Sequence, residues 1–262
     1  MRSVAHATVI LLIVASRASA QGATSSSMES DPVSVAAASR LNAGRGNEAR
    51  ILLQRAALQA DSREMRALYR LRVGDSYLHD GQYQEAMRTY ESVLSGDDAK
   101  GDARLTSWAH RGLGLADAFL GRRAQAAAHM RKAIDAYSDP KSALRDSIQM
   151  LMVSGQHDAA AKALEGLAAS GKGTARGQDL AVMRALNILM SGHCTAALEE
   201  LTQAQAMSGP VSQAIRGQCA SKRGRRAEAS ALRDSVLSQP MPDPFAWDML
   251  IARDIARRIP WR

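Results

Sequence analysis

Residues 67–94 read ALYRLRVGDSYLHDGQYQEAMRTYESVL. Two stretches, carrying Ala67, Leu71 and Leu78 and then Tyr83, Ala86, Tyr90 and Leu94, flank the pair Asp80-Gly81. Apolar residues three, four and seven apart share one face of a helix, so each stretch reads as an amphipathic helix. A glycine just past a helix accepts backbone angles that other residues resist, which makes Gly81 the turn. Gly74 has no side chain to hold a partner helix away, and Ala86 is small enough to sit where two helices nearly touch. The stretch therefore predicts a helical hairpin in which neither Gly81 nor Ala86 has room for a larger side chain.

The turn glycine and the alanine five residues later recur along the chain. The pairs are Gly44 and Ala49, Gly81 and Ala86, Gly121 and Ala126, Gly155 and Ala160, Gly192 and Ala197, and Gly224 and Ala229. Successive turn glycines are 37, 40, 34, 37 and 32 residues apart. A further pair, Gly209 and Ala214, falls off this lattice. Near-regular spacing, with apolar periodicity on both sides of each glycine, is the signature of stacked helical repeats. Gly114 and Gly217 repeat the small residue seven before the turn. Segments 95–102 and 169–178 are polar and glycine-bearing and read as enlarged loops between repeats.

This unit resembles the tetratricopeptide repeat. Gly74 and Tyr77 in the first helix, the turn Gly81, and Tyr83, Ala86 and Tyr90 in the second stand at that family's spacing, whereas Arg70 occupies the family's tryptophan position. The resemblance covers roughly residues 32–240 and implies an all-α, right-handed solenoid of about six hairpins. Pro240, Pro242 and Pro244 stop the sixth hairpin. Asp243 then reads as the cap of a last helix with Pro244 at its first position, and residues 241–262 as a helix covering the open end of the stack.

Composition agrees with helices. Alanine is abundant and aromatics make up only 4% of the 262 residues, whereas strand-rich chains draw on aromatic and β-branched residues. The first 20 residues read as a signal peptide, with Arg2, an apolar Thr8–Val14 core and Ala18-Ser19-Ala20 before cleavage ahead of Gln21. Arg2 and Arg17 leave with it, so the formal net charge of +8 falls by two. Residues 21–31 read as a flexible lead-in. The expected product is exported, periplasmic in a bacterium, and without a transmembrane span after cleavage. Export removes nucleic acid as a partner of the basic chain, leaving acidic proteins, anionic glycans and headgroups.

Three stretches look like chemistry. Gly166–Gly173 matches most of a phosphate-binding loop, but Gly173 replaces the hydroxyl residue that would hold magnesium, and a helix precedes it where a strand is required. Gly74-Asp75-Ser76-Tyr77-Leu78 looks like a hydrolase nucleophile block, yet Ser76 falls inside a repeat helix. His193 and Cys194 are adjacent, with no paired metal-ligand spacing. The sequence therefore predicts no enzyme, no cofactor and no metal. Cys194 and Cys219 are its only cysteines, and antiparallel neighbouring helices in an oxidising compartment would bring them into a disulfide.

In the tetratricopeptide family the first helices line a concave groove that takes peptides. By position that implies Arg72 and Asp75, Trp108 and Arg111, Arg145 and Gln149, the apolar set Val182, Leu186 and Leu189, and Gln218 with Lys222. Trp108 reads either as the groove's anchor or as packing between repeats. The family's carboxylate clamp of lysines and asparagines is not reproduced. The hairpin turns form an edge bearing Arg45, Arg122, Arg123, Arg225 and Arg226, which suits an anionic polysaccharide or membrane surface. Exported relatives of this kind serve pilus, secretion or exopolysaccharide assembly. The resemblance thus implies an envelope scaffold or adaptor with a protein or peptide partner, and the basic edge offers glycan binding as the alternative.

Overall fold

The computed structural model describes residues 31–137, 143–170, 177–240 and 243–260. Residues 1–30, which hold the expected signal peptide and nearly all of the expected lead-in, lie outside the described residues. Among those described the chain forms thirteen helices and no strand. They pair as six hairpins: α1 (Pro32–Asn42) with α2 (Gly46–Gln59), α3 (Arg63–Asp80) with α4 (Tyr83–Ser95), α5 (Ala103–Phe119) with α6 (Arg123–Ala136), α7 (Ala143–Val153) with α8 (His157–Ser170), α9 (Gly177–Met190) with α10 (Cys194–Gln203), and α11 (Pro210–Lys222) with α12 (Arg226–Ser238). The thirteenth, α13, spans Trp247–Arg257.

The lattice read from the sequence is the lattice of the fold. The six turn glycines have φ between +71° and +100°, the left-handed region that a side chain would strain. None of their six partner alanines is more than 2% exposed. Gly209 also has positive φ, at +98°, but it precedes α11 and does not join a hairpin. First helices touch the first helices of adjacent repeats, as α1 with α3, α3 with α5 and α9 with α11, which makes them the inner layer of an α-solenoid.

The tightest packing lies between the second and third repeats. Tyr90 on α4 is fully buried, its ring lodged between Gly74 of α3 and Gly112 of α5. A methyl group on either glycine would overlap that ring.

Past Ser95, segment 95–102 is the loop expected between repeats, and it is anchored: Ala99 is 3% exposed, and Asp98 pairs with Arg66 at 3.0 Å and Arg70 at 3.2 Å. Arg70, standing where the family carries tryptophan, ties this connection to α3. In segment 169–178, α8 continues to Ser170 and α9 begins at Gly177, while residues 171–176 lie outside the described residues. The last helix begins at Trp247, not Pro244. Asp243 accepts the Phe245 N–H at 3.0 Å and caps a short turn that drops Phe245 onto the first two repeats.

As expected of a cap, α13 packs on α11 and α12. Leu250, Ile251 and Ile259 are each no more than 4% exposed, and full burial of such a side chain contributes about 1.5–3 kcal/mol. The same helix also reaches α3, on the second repeat. The solenoid curls far enough for its last helix to meet its own early groove.

Gly112 and Gly166 both lie inside helices, but a Cβ at Gly166 meets nothing within 4 Å. Gly112→Ala is expected to destabilise by about 1–3 kcal/mol through overpacking. Gly166→Ala should stabilise by roughly 0.5–1 kcal/mol through helix propensity. Urea unfolding of the two variants checks the opposite signs.

Candidate functional site

The three-residue spacing of Arg72 and Asp75 places both on one face of α3, with Arg72 Nη1 3.6 Å from Asp75 Oδ2. Across the groove, Trp108 of α5 donates its indole N–H to Asp75 Oδ1 at 3.3 Å. The Tyr90 hydroxyl donates to the same oxygen at 2.7 Å. The Arg72 guanidinium lies 4.8 Å from the centre of the Trp108 ring and 4.5 Å from that of Phe245, so one cation is sandwiched by two aromatic faces. Asp75 is 4% exposed. Burial pushes its carboxyl up to about 6, against the lowering pull of Arg72, Tyr90 and Trp108 and with a further upward push from Asp243. Trp108 packs between the second and third repeats, the second of the two readings the sequence offered.

Phe245 belongs to the C-terminal segment, and that segment occupies part of the groove. Its ring joins the cluster of Ala37, Leu41, Tyr69 and Val73. Trp247 packs with Met130 and Val153 of the third and fourth repeats. Tyr83 donates to Asp254 Oδ1 at 2.5 Å, and burial, then Asp254, raises the tyrosine's pKa. Arg253 and Arg257 both donate to the His79 carbonyl, and Arg258 donates to the Phe119 carbonyl. These carbonyls end α3 and α5, where helices leave acceptors unsatisfied and favour cations. Burial raises the Asp248 carboxyl, and Arg145 of α7 pulls it back down.

The expected groove residues are therefore distributed unevenly. Arg72, Asp75 and Trp108 form one cluster under the C-terminal segment, and exposed Arg145 acts on that segment's Asp248 only through its charge. Arg111 is half-buried on α5; Gln149 is 5% exposed on α7; Gln218 is half-buried on α11. Leu186 and Leu189 sit in the main core and do not line an open surface, because α9 turns that face against its neighbours; Val182 is half-buried there and Lys222 is exposed. Phe245, Asp254, Arg253 and Arg257 were not read from the sequence as groove residues, and Tyr83 was read only as a repeat position. Their signal was present in part: Arg253 and Arg257, one turn apart, with Leu250 and Ile251, mark α13 as more than an apolar lid.

The turn edge is less positive than the count of its arginines. Arg45 pairs with Glu48 at 3.3 Å and Arg225 with Glu228 at 2.9 Å, each three residues along the helix. Arg122 lies 3.7 Å from Asp117, while Arg123 and Arg226 are exposed. The cysteines are neighbours as expected, but they are free thiols. Cys219 Sγ points at the Cys194 carbonyl, 3.6 Å away, and not at its sulfur. Burial, with Cys194 adding to it, pushes the Cys219 thiol up to about 12.

Ser76 is fully buried and donates to the Val73 carbonyl at 2.7 Å, a geometry that occupies its hydroxyl within its own helix. Among the described residues no cluster of three or more histidine, cysteine or acidic side chains is disposed to hold a metal. His110 Nδ1 and His129 Nδ1 face each other at 3.2 Å, so one of the rings carries its proton there. Burial lowers both pKa values; the His129 charge adds to the effect at His110. Among the described residues no helix is long and apolar enough to cross a membrane.

A cleft of about 820 Å³ opens beside Phe245, lined by Ser34, Val35, Arg72, Asp243 and Pro240 among others. Ser34 Oγ and Arg72 Nε are buried there without a hydrogen-bond partner among the described residues, as are Asp75 Oδ2, His79 Nε2, Trp247 Nε1 and Arg257 Nη1 along the groove. An unsatisfied buried polar group costs about 1–3 kcal/mol.

A stack of helical hairpins with first helices on its inner face defines an α-helical repeat fold. Residues 63–139 match the tetratricopeptide repeat family. That match falls on the second and third hairpins. It is similar to the crystal structure of a tetratricopeptide repeat protein from Parabacteroides merdae, at 15% identity over 88% of this chain and 99% of that one, with a TM-score of 0.40. No curated protein matches it.

Asp75 gives a pH signature. Its folded-state pKa of about 6 stands above the ordinary 3.8, so the buried carboxyl favours folding when protonated and loses that advantage as pH rises from about 4 through 6. Asp75→Asn keeps an acceptor for Tyr90 and Trp108 and removes the charge. Thermal melts should show the asparagine variant gaining several degrees on the parent between pH 4.5 and pH 7.5. A difference in Tm that is the same at both pH values would show that Asp75 does not titrate in this range.

Proposed function

We propose that the chain is a non-catalytic protein-binding scaffold or adaptor of the bacterial cell envelope, taking a peptide or helix of its partner in the concave groove. The observation that carries this reading is the groove itself: first helices of several repeats converge on one helical segment through an arginine–aromatic sandwich, a buried carboxylate and two helix-end carbonyls. Aromatic and arginine side chains concentrated in a pocket are the usual anchors of a protein interface. Tetratricopeptide repeats favour protein partners in general; pilus, secretion or exopolysaccharide assembly is the finer setting proposed here. The leader-like residues 1–20 support an envelope location, cleaved after Ala20 and periplasmic. N-terminal mass analysis of the exported chain should find Gln21 first. An intact Met1 in a membrane pellet would overturn export.

Capture from envelope extract on immobilised protein separates groove from edge. Arg111→Glu with Arg145→Glu should reduce capture at least tenfold, and much of the parent's capture should survive high salt. Loss of capture on Arg123→Glu with Arg226→Glu, together with collapse at high salt, would replace the groove with an anionic-polymer edge. Trp108→Ala is a poor probe, since it strips Asp75 of a donor and opens the packing between repeats.

A further inference from the structure

We infer that residues 243–259 are a built-in occupant of the groove, displaced by a partner's amphipathic helix of the same chemistry: one aromatic side chain followed some eight positions later by two arginines one turn apart. The inference rests on the groove being the binding surface and adds what fills and gates it.

The groove's shape and charge are written in the contacts of its present occupant. Phe245 supplies the second face of the Arg72 sandwich. Arg253 and Arg257 converge on the His79 carbonyl at the end of α3. Tyr83 offers its hydroxyl to a carboxylate, now that of Asp254. An aromatic ring just ahead of a helix, with a carboxylate and a pair of cations on that helix, meets all of these demands.

The present occupant meets them incompletely. Asp75 is 4% exposed and His79 1%, yet Asp75 Oδ2 and His79 Nε2 have no hydrogen-bond partner among the described residues. On the occupant's own side, Trp247 Nε1 and Arg257 Nη1 are buried in the same condition. The cleft beside Phe245 shows that the groove is not full where the segment enters it. A helix that supplied those missing bonds would outcompete one that does not. A tethered occupant holds its site at an effective concentration on the order of millimolar, so it raises the concentration of partner needed without abolishing binding.

The segment has two kinds of attachment, made by different side chains. Phe245 faces the first two repeats and Arg257 lies against His79 and Gly81 of the second. Ile259 packs with Ala220 and Ala229 of the sixth repeat, and Arg233 holds the Pro260 carbonyl at 3.1 Å. The groove contacts can therefore be weakened while the cap on the sixth repeat stays.

The test uses the full chain carrying Phe245→Ala and Arg257→Ala and a fluorescein-labelled synthetic peptide of residues 243–259, read by fluorescence polarisation. The double variant should bind the peptide at least tenfold more tightly than the parent, and a peptide with the same two substitutions should not bind. A folded, monomeric double variant that binds the peptide no better than the parent would overturn the inference, leaving the segment a fixed part of the fold. Concentration-dependent dimers of the double variant would also overturn it, with a second copy's segment as the occupant. The single variant Arg257→Ala covers the case in which the double variant does not fold: it should bind the peptide at least threefold more tightly than the parent, and a folded single variant that binds it no better would sink the proposal. The peptide assay needs no cellular partner, so its failure leaves the capture experiment on Arg111 and Arg145 to judge the groove by itself.

Discussion

The slot that holds Tyr90 is the contact on which the rest of the groove depends. Two glycines from successive first helices, Gly74 and Gly112, leave a gap only as wide as a phenol ring, and Tyr90 fills it completely. The ring fixes the spacing of α3 and α5, and its hydroxyl fixes Asp75. Asp75 in turn orients Trp108, and Trp108 supplies one wall for Arg72. A steric constraint between two repeats is thereby converted into a placed charge on the concave face. In the first two links, backbone and ring have almost no freedom; only at Arg72 does a flexible side chain meet the ligand surface.

An open solenoid is held together by neighbours alone, and its stability is close to a sum over adjacent repeats. Here α13 contacts α11 and α12 and also α3, so residues more than 170 positions apart touch. Arg253 joins the two ends directly, donating to the Leu237 carbonyl of the sixth repeat at 3.2 Å and to the His79 carbonyl of the second at 3.4 Å. Burial beside Arg257 lowers its pKa to about 10, far enough from neutrality that it remains a cation. The stack behaves less like a row of independent hairpins and more like a ring fastened at one point.

The repeats were legible because their rule is local. A glycine with positive φ and an alanine five residues later are decided within one hairpin, and all six pairs can be read without knowing how hairpins stack. The groove was legible to the extent that it follows from the register: Arg72, Asp75 and Trp108 fall together because first helices face inward. The return of the C-terminal segment was not, since curvature is the sum of small rotations over six repeats and no residue spells it. The turn edge is less positive than it reads for a plainer reason. Glu48 and Glu228 stand three residues after Arg45 and Arg225, and counting cations without their helical neighbours overstates a charged stripe. Leu186 and Leu189 failed because an apolar residue on a first helix serves the core before it serves a ligand.

Capping and occupying the groove place different demands on one segment, and its sequence divides them. A cap needs apolar burial, because it covers the face that a seventh repeat would otherwise cover; Leu250, Ile251, Ala256 and Ile259 supply it, all nearly fully buried. Occupying a groove reversibly needs contacts that water can replace at modest cost. Hydrogen bonds to carbonyls at helix ends are of that kind, because both the arginine and the carbonyl regain partners in solvent, and the net gain of each bond is only about 0.5–1.5 kcal/mol. The groove side of the segment is built largely from such bonds, with Phe245 and Trp247 as its apolar anchors. The cap is therefore the durable attachment and the groove contact the exchangeable one, which is the order required if the segment is to leave the groove without unravelling the end of the stack.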